Sequence, residues 1–231
     1  MGKKRTVRVV LNLELANSGR GYGMEYEVKR ATKEQMKELL DIQTEAFLGR
    51  EPMTMALGMD EDGYRKSMEW MFAHGIDMGL LFVAVEEETN KVIGLAATYP
   101  SNFLDTTSVP EELVTGYEEA YDASGRLFEI IDRKLVDKPG YQSGTYLHLY
   151  YAATHKDYGK RGVATKLTEA VLNYGKELGY THAYGETTNP KSLSVMLNNN
   201  GEIVDRIEYA NCGIERFADV EGELVLVVKE L

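Results

Sequence analysis

One segment of this chain limits its fold more than any other: YLHLYYAATHKDYGKRGVATKLTEAVLNYGKELG, Tyr146 to Gly179. TYLHLYYAAT is an aromatic and β-branched run that reads as a central strand. KDYGKRG is a glycine-bearing loop, and Val163, Leu167, Val171, Leu172 and Leu178 then recur at helical spacing up to Gly179. A helix N-terminus carries unpaired amides and about half a positive charge, so a loop that admits phosphate oxygens to those amides is an anion site. Gly159 and Gly162 permit that approach, and Lys160, Arg161 and Lys166 concentrate positive charge there. Neither G-x-G-x-x-G nor G-x-x-x-x-G-K-S/T occurs, so a dinucleotide fold and a P-loop are not indicated. The plain alternative is an ordinary strand-to-helix turn with solvated lysines.

The local basicity stands against an acidic whole. With 26 Lys and Arg against 37 Asp and Glu, the formal charge is −11, which repels a phosphate backbone and favours a cationic acceptor. A nucleic-acid partner is therefore not expected. No window approaches the roughly 18 apolar residues of a membrane span, and 43% apolar with 27% charged residues is globular composition. The 231 residues suit one large domain without repeats. Cys212 is the only cysteine, and the four histidines lack zinc-site spacing, so the expectation is a cytoplasmic, metal-free protein, monomer or homodimer, not attached to a membrane.

Residues 1–23 read as an extension preceding a main domain of residues 24–231. Val7, Val9, Leu11, Leu13 and Leu15 alternate like an extra strand before a Ser-Gly linker, and Met24 is an alternative start. The opening M-G-x-x-x-T also fits an N-myristoylation pattern. From Met24 the order is strand (MEYEVKRA), a helix begun by Thr32 with Gln35 and ending near Leu48, and a helix over Asp62 to His74. A hairpin LLFVAVEEE and KVIGLAATY turns at Thr89 and Asn90. A helical region opened by Ser108, Pro110 and Glu111 runs to Val136, with Gly116 and Gly125 as candidate breaks. After the central segment come the strand THAYGETT, a helix opened by Asn189 and Pro190, and strands EIVDRIEY and ELVLVVKEL.

This order and the central loop resemble the GNAT superfamily of acetyl-CoA-dependent N-acetyltransferases, over about Met24 to Leu231. The family loop Q/R-x-x-G-x-G/A falls on Gly159, Lys160, Arg161, Gly162, Val163 and Ala164. Gly159 stands where the family carries arginine or glutamine, so either Arg161 or the backbone alone must serve the pyrophosphate. The resemblance implies an α/β fold: a mixed sheet of six to seven strands, splayed centrally and flanked by helices, with a helical insertion between strands three and four. It implies that amides of Gly159 to Thr165 hold the pyrophosphate of acetyl-CoA, and that Ala152, Ala153 and Thr154 pair with the pantetheine arm, with Asn189 also on the coenzyme side.

Within the superfamily the likeness is to the insect-type arylalkylamine branch. AFLGREPM resembles that branch's F-x-x-x-E-P-L, which implies Glu51 as general base. The insertion from Ser108 to Val136 is also typical of that branch. TTNPKSLSVM resembles the stretch that carries its functional serines, which implies roles for Thr188 and Ser192. Where many relatives have a tyrosine acid for the leaving thiolate, this chain has Met196.

The chemistry is consistent with those roles. An alkylamine with pKa near 10 is protonated at neutral pH and attacks a thioester only after losing a proton, so a carboxylate is needed. The oxyanion needs a waiting donor, expected from the backbone near Ala153 or Thr154. Acetyl transfer to an arylalkylamine or another small cationic amine, by direct attack in a ternary complex, is the expected function. A non-catalytic acyl-CoA-binding regulatory module and an acetyltransferase of protein or peptide amines are the alternatives. Each residue also has a plainer role: Glu51 a solvated loop acid, Thr188 and Ser192 first-turn caps, His148 and His155 structural, Cys212 packing. Tyr150, Tyr151, Met53, Met55 and Met59 line either an aromatic acceptor pocket or the core.

Overall fold

The computed structural model describes residues 7–10 and 24–231. The expectations for a linker, a myristoylation signal and strand positions Leu11 to Leu15 lie outside the described residues. In chain order the strands are β1 (Val7–Val10), β2 (Glu25–Arg30), β3 (Leu81–Glu86), β4 (Val92–Pro100), β5 (Tyr146–Thr154), β6 (His182–Thr187), β7 (Glu202–Glu208) and β8 (Glu223–Glu230). The helices are α1 (Met36–Phe47), α2 (Pro52–Leu57), α3 (Glu61–Asp77), α4 (Phe103–Thr106), α5 (Glu111–Val114), α6 (Glu118–Val136), α7 (Pro139–Gln142), α8 (Val163–Glu177) and α9 (Pro190–Asn198). All seven strands expected from Met24 onward are present in one open sheet, and β1 adds an eighth at its edge, in the order β1-β2-β3-β4-β5-β6-β8-β7.

Burial on both faces explains the apolar runs in the middle of the sheet. Leu81, Val83, Leu95 and Tyr99 pack under α1 and α3, whereas Phe82, Ala84, Ile93 and Ala96 meet Val163, Leu167 and Val171 of α8. A third cluster joins Leu127, Ile131 and Leu135 of α6 to Tyr184, Leu224 and Leu226. The insertion is therefore a cover over the β6 and β8 half of the sheet. Its break falls at Gly116, whose φ of +88° is left-handed, and Pro110 rather than Ser108 occupies the cap of α5. Gly125 lies exposed inside an unbroken α6, correcting the expectation of a break there.

The central splay follows from the register. β5 and β6 run parallel and pair only over Tyr146↔His182, Leu147↔Ala183 and His148↔Tyr184. β6 then continues with β8 as far as Thr187↔Val225, and β5 continues with β4 as far as Gly94↔Thr154. A wedge opens between them. Gly185 sits at its throat, where a Cβ would lie 3.1 Å from the Leu149 carbonyl oxygen.

Gly94 fixes α8 against the sheet. A Cβ there would lie 2.9 Å from the Ala153 oxygen and 3.0 Å from Val163 Cγ1. Overpacking of this kind costs about 1–3 kcal/mol. Gly94→Ala is thus expected to lower Tm by roughly 2–12 °C, at the 2–4 °C per kcal/mol typical of such chain lengths. A thermal melt checks it.

Candidate active site

The loop after β5 leaves the helix N-terminus open. Lys156 to Tyr158 form one 3-10 turn capped by His155, whose Nδ1 accepts from the Asp157 amide at 3.3 Å. Lys160 (φ +61°) and Gly162 (φ +75°) then adopt left-handed conformations that swing the chain into α8. Among the described residues, no side chain caps α8. The other helix starts beside the site are capped: Asn189 accepts from the Lys191 and Ser192 amides, and Glu51 from those of Met53 and Thr54. The amides from Val163 onward therefore face an anion without competition from a cap. The Arg161 guanidinium lies 5.4 Å above the Tyr158 ring and 3.4 Å from Met24 Sδ, and Lys166 is paired with Glu169 at 2.6 Å. The loop's charge is thus partly committed, which leaves the backbone as its principal anion donor.

Beside this terminus, β5 from Leu149 to Thr154 has no ladder with β6, so Ala152, Ala153 and Thr154 present a strand edge to the wedge. The register against β4 shifts between Ala97↔Tyr151 and Thr98↔Leu149, leaving Tyr150 as the extra residue of a bulge. The irregularity on β5 therefore centres on Tyr150, four residues before the end of the strand at Thr154. A bulge leaves no signature in a run of tyrosines and alanines, so sequence reasoning missed it.

Glu51 is 5% exposed, not a solvated loop acid. Its Oε1 accepts from the Met53 amide at 3.0 Å and its Oε2 from the Thr54 amide at 2.6 Å. Proline at the first helical position and glutamate before it explain why α2 starts there. Glu51 and Thr188 flank one ring: Tyr209 donates its hydroxyl to the Thr188 carbonyl at 3.4 Å, and its own acidity is suppressed by burial and by the charge of Glu51. Ser192 Oγ donates to the Asn189 carbonyl at 2.9 Å and accepts from the Asn189 amide at 3.3 Å; Thr188 Oγ1 accepts from Asn189 Nδ2 at 3.4 Å. The structure thus brings Glu51 and Thr188 to the same tyrosine, Tyr209, while giving Asn189 and Ser192 a capping task.

The aromatic residues divide. Tyr151 meets Phe47 edge-on at 5.5 Å between centroids, and Tyr150 meets Phe128 of the insertion at 6.3 Å. Met53 is buried, Met59 packs against the main core and Met55 is exposed, so the methionines do not form one wall with them. Cys212 is buried.

Sequence reasoning missed a buried polar cluster between α6 and the throat. His148 Nε2 lies 2.6 Å from Glu186 Oε2, and the Tyr141 hydroxyl donates to Asp132 Oδ2 at 3.0 Å. Asp132 and Glu186 are within hydrogen-bonding reach, and their other oxygens, Asp132 Oδ1 and Glu186 Oε1, are buried with no partner that donates among the described residues. Both carboxyls are held above the ordinary range, first by burial and, for Asp132, also by the charge of Glu186. Burial holds His148 below its usual range, so it is neutral and the carboxylate partner selects its Nε2–H tautomer. The available signal was polar residues recurring on inward positions of two strands, His148 on β5 and Glu186 on β6. Among the described residues, no group of three or more His, Cys, Asp or Glu side chains is arranged to hold a metal ion. Nor is any helix among them long and apolar enough to cross a membrane.

An uncapped helix N-terminus thus lies beside a free strand edge at the splay of a mixed sheet. The acetyltransferase (GNAT) family model matches residues 36–197, and the chain belongs to that family. It is an acetyl-CoA-dependent N-acetyltransferase. No curated protein sequence matches the chain. Among solved structures it is similar to the C-terminal condensation domain of Ebony in complex with beta-alanyl-dopamine, at 16% identity and TM-score 0.72, covering 90% of this chain and 100% of that one. It is similar to a putative arylalkylamine N-acetyltransferase 7 of the yellow fever mosquito Aedes aegypti, at 17% identity and TM-score 0.68, covering 89% and 87%. A Drosophila melanogaster polyamine N-acetyltransferase matches at 13% identity and TM-score 0.68, covering 89% and 100%. At these identities the likeness is one of fold.

Proposed function

We propose that the protein acetylates a small cationic primary amine, an arylalkylamine first and a polyamine-like amine second, by direct attack in a ternary complex. The observation that carries this reading is the uncapped start of α8 next to the unpaired edge of β5. Amides of Gly159 to Thr165 receive the pyrophosphate, with Lys160 and Arg161 adding charge, while Ala152 to Thr154 pair with the pantetheine arm and lead the thioester toward the throat. The amine enters from the α1 and α6 side. There Tyr150, Tyr151, Phe47 and Phe128 offer ring faces to an aryl group or an ammonium. Glu51 takes the proton that frees the nitrogen lone pair, and the Thr188 hydroxyl donates near the reacting groups, while Ser192, whose proton goes to the Asn189 carbonyl, holds the turn that carries Thr188 and Asn189. The formal charge of −11 favours a cation as the visitor.

A steady-state assay of coenzyme A release with a panel of amines tests this. Turnover with tryptamine- or agmatine-like amines, and none with peptide N-termini or lysines, is the expected result. Preference for peptides would replace the acceptor assignment. Acetyl-CoA binding without release of coenzyme A from any amine would make the chain a binding module.

A further inference from the structure

We propose that Glu186 is a catalytic residue of this acetyl transfer, moving a proton from the acetylated nitrogen to the departing sulfur, with Asp132 and His148 as positioning residues. The inference rests on the acetyl-transfer reading above and fills the place of the leaving-group acid, where this chain has Met196 instead of a tyrosine.

The geometry begins with the register. His148↔Tyr184 is the last β5–β6 pair, so Glu186, two residues further along β6, lies at the throat where the strands part. An acyl chain running along Thr154, Ala153 and Ala152 from the anion site points its thioester there. The Glu186 side chain is 3% exposed, which gives a captured proton no direct aqueous exit. Its Oε2 is held by His148, and its Oε1 is buried without a donor. Asp132 Oδ1, from α6, is orphaned in the same way. One proton shared by the two carboxyls satisfies both oxygens, and Tyr141 from α7 secures the far side of Asp132. The remaining groups facing Glu186 are Tyr150 of β5 and Tyr184 of β6, whose acidities its charge suppresses, and Leu226 of β8, its apolar ladder partner. No cation among the groups just named neutralises it.

The step balances. Glu51 removes one proton from the ammonium, and the nitrogen lone pair forms the C–N bond as the carbonyl π electrons move to oxygen. The nitrogen, now positive, gives its second proton to ionised Glu186. The oxyanion collapses, the C–S bond breaks, and the thiolate takes that proton from Glu186, regenerating the carboxylate. Burial raises Glu186 up to about 7, below a thiol near 8.5, so the transfer from protonated Glu186 to the thiolate runs downhill and draws the preceding transfer from nitrogen forward.

Glu186 must start ionised, so kcat is expected to rise with pH through about 7 in the wild type. Glu186→Gln should lower kcat by about 100- to 1,000-fold and abolish that limb, with the KM for acetyl-CoA retained. Asp132 supplies the hydrogen bond that favours ionised Glu186. Asp132→Leu should therefore move the limb to higher pH, and Asp132→Asn, which still donates, should leave it near the wild-type position. This pair carries the test by itself if Glu186→Gln does not fold. Turnover by the wild type with an unmoved limb in both Asp132 variants, or with full kcat in Glu186→Gln, would overturn the assignment while leaving the acetyl-transfer reading standing. Absence of wild-type turnover would instead remove that reading.

Discussion

Gly162→Val is expected to raise the KM for acetyl-CoA about 10- to 100-fold, because holding a β-branched residue in the left-handed region costs on the order of 1–3 kcal/mol. Gly162 caps α8 at φ +75°, with nothing within 4 Å of a prospective Cβ, so strain rather than collision is the physical cause. The loop relieves that strain by rotating the first turn of α8, and the amides of Val163 to Thr165 lose their common direction. A control exists at the other end of the same helix. Gly179 has φ +92° and equally open surroundings. Gly179→Val should lower Tm by a similar amount yet leave the KM for acetyl-CoA unchanged. Equal KM effects from both variants would mean that Gly162 matters only to folding.

Glu51→Asn is expected to lower kcat by about 100- to 10,000-fold, the usual worth of a positioned proton acceptor. Asparagine is among the best helix caps, so the hold on the Met53 and Thr54 amides largely survives and the stability cost stays near 1 kcal/mol or less. Glu51→Ala removes cap and base together and should add only the loss of Tm. The comparison separates two tasks of one carboxylate: an activity loss in Glu51→Ala that is recovered by asparagine would assign Glu51 to capping alone. Each carboxylate oxygen has two acceptor positions, so an amide on each still leaves room for an incoming proton.

The fold was legible because local signals agreed. Period-two alternation in MEYEVKRA marked β2, whose Tyr26 and Val28 are buried, Asn90 (φ +56°) closed the hairpin, and Asn189 with Pro190 opened α9. The loop between β5 and α8 was legible for the same reason: glycines and basic residues sit between a strand and a helix of unmistakable period. What the sequence concealed depends on long-range register. The bulge at Tyr150 arises from the mismatch of β5 against β4, and no single strand encodes it. The Asp132, His148 and Glu186 cluster joins three elements across 54 residues of chain, and each member taken alone reads as a stray polar residue. The burial of Glu51 depends on Tyr209 and the cluster around α2, which only the tertiary structure brings together.

Calorimetric titration of the folded protein with acetyl-CoA and, in parallel, with S-acetyl-pantetheine most directly tests whether the open start of α8 grips a diphosphate. Acetyl-CoA should bind at one site per chain with a Kd between about 1 μM and 1 mM, the range of ordinary substrates. S-acetyl-pantetheine, lacking the diphosphate, should bind at least about 100-fold more weakly, since hydrogen bonds to a charged group are worth about 1.5–3 kcal/mol each. Equal affinity for the two, or no heat with acetyl-CoA, would contradict the account.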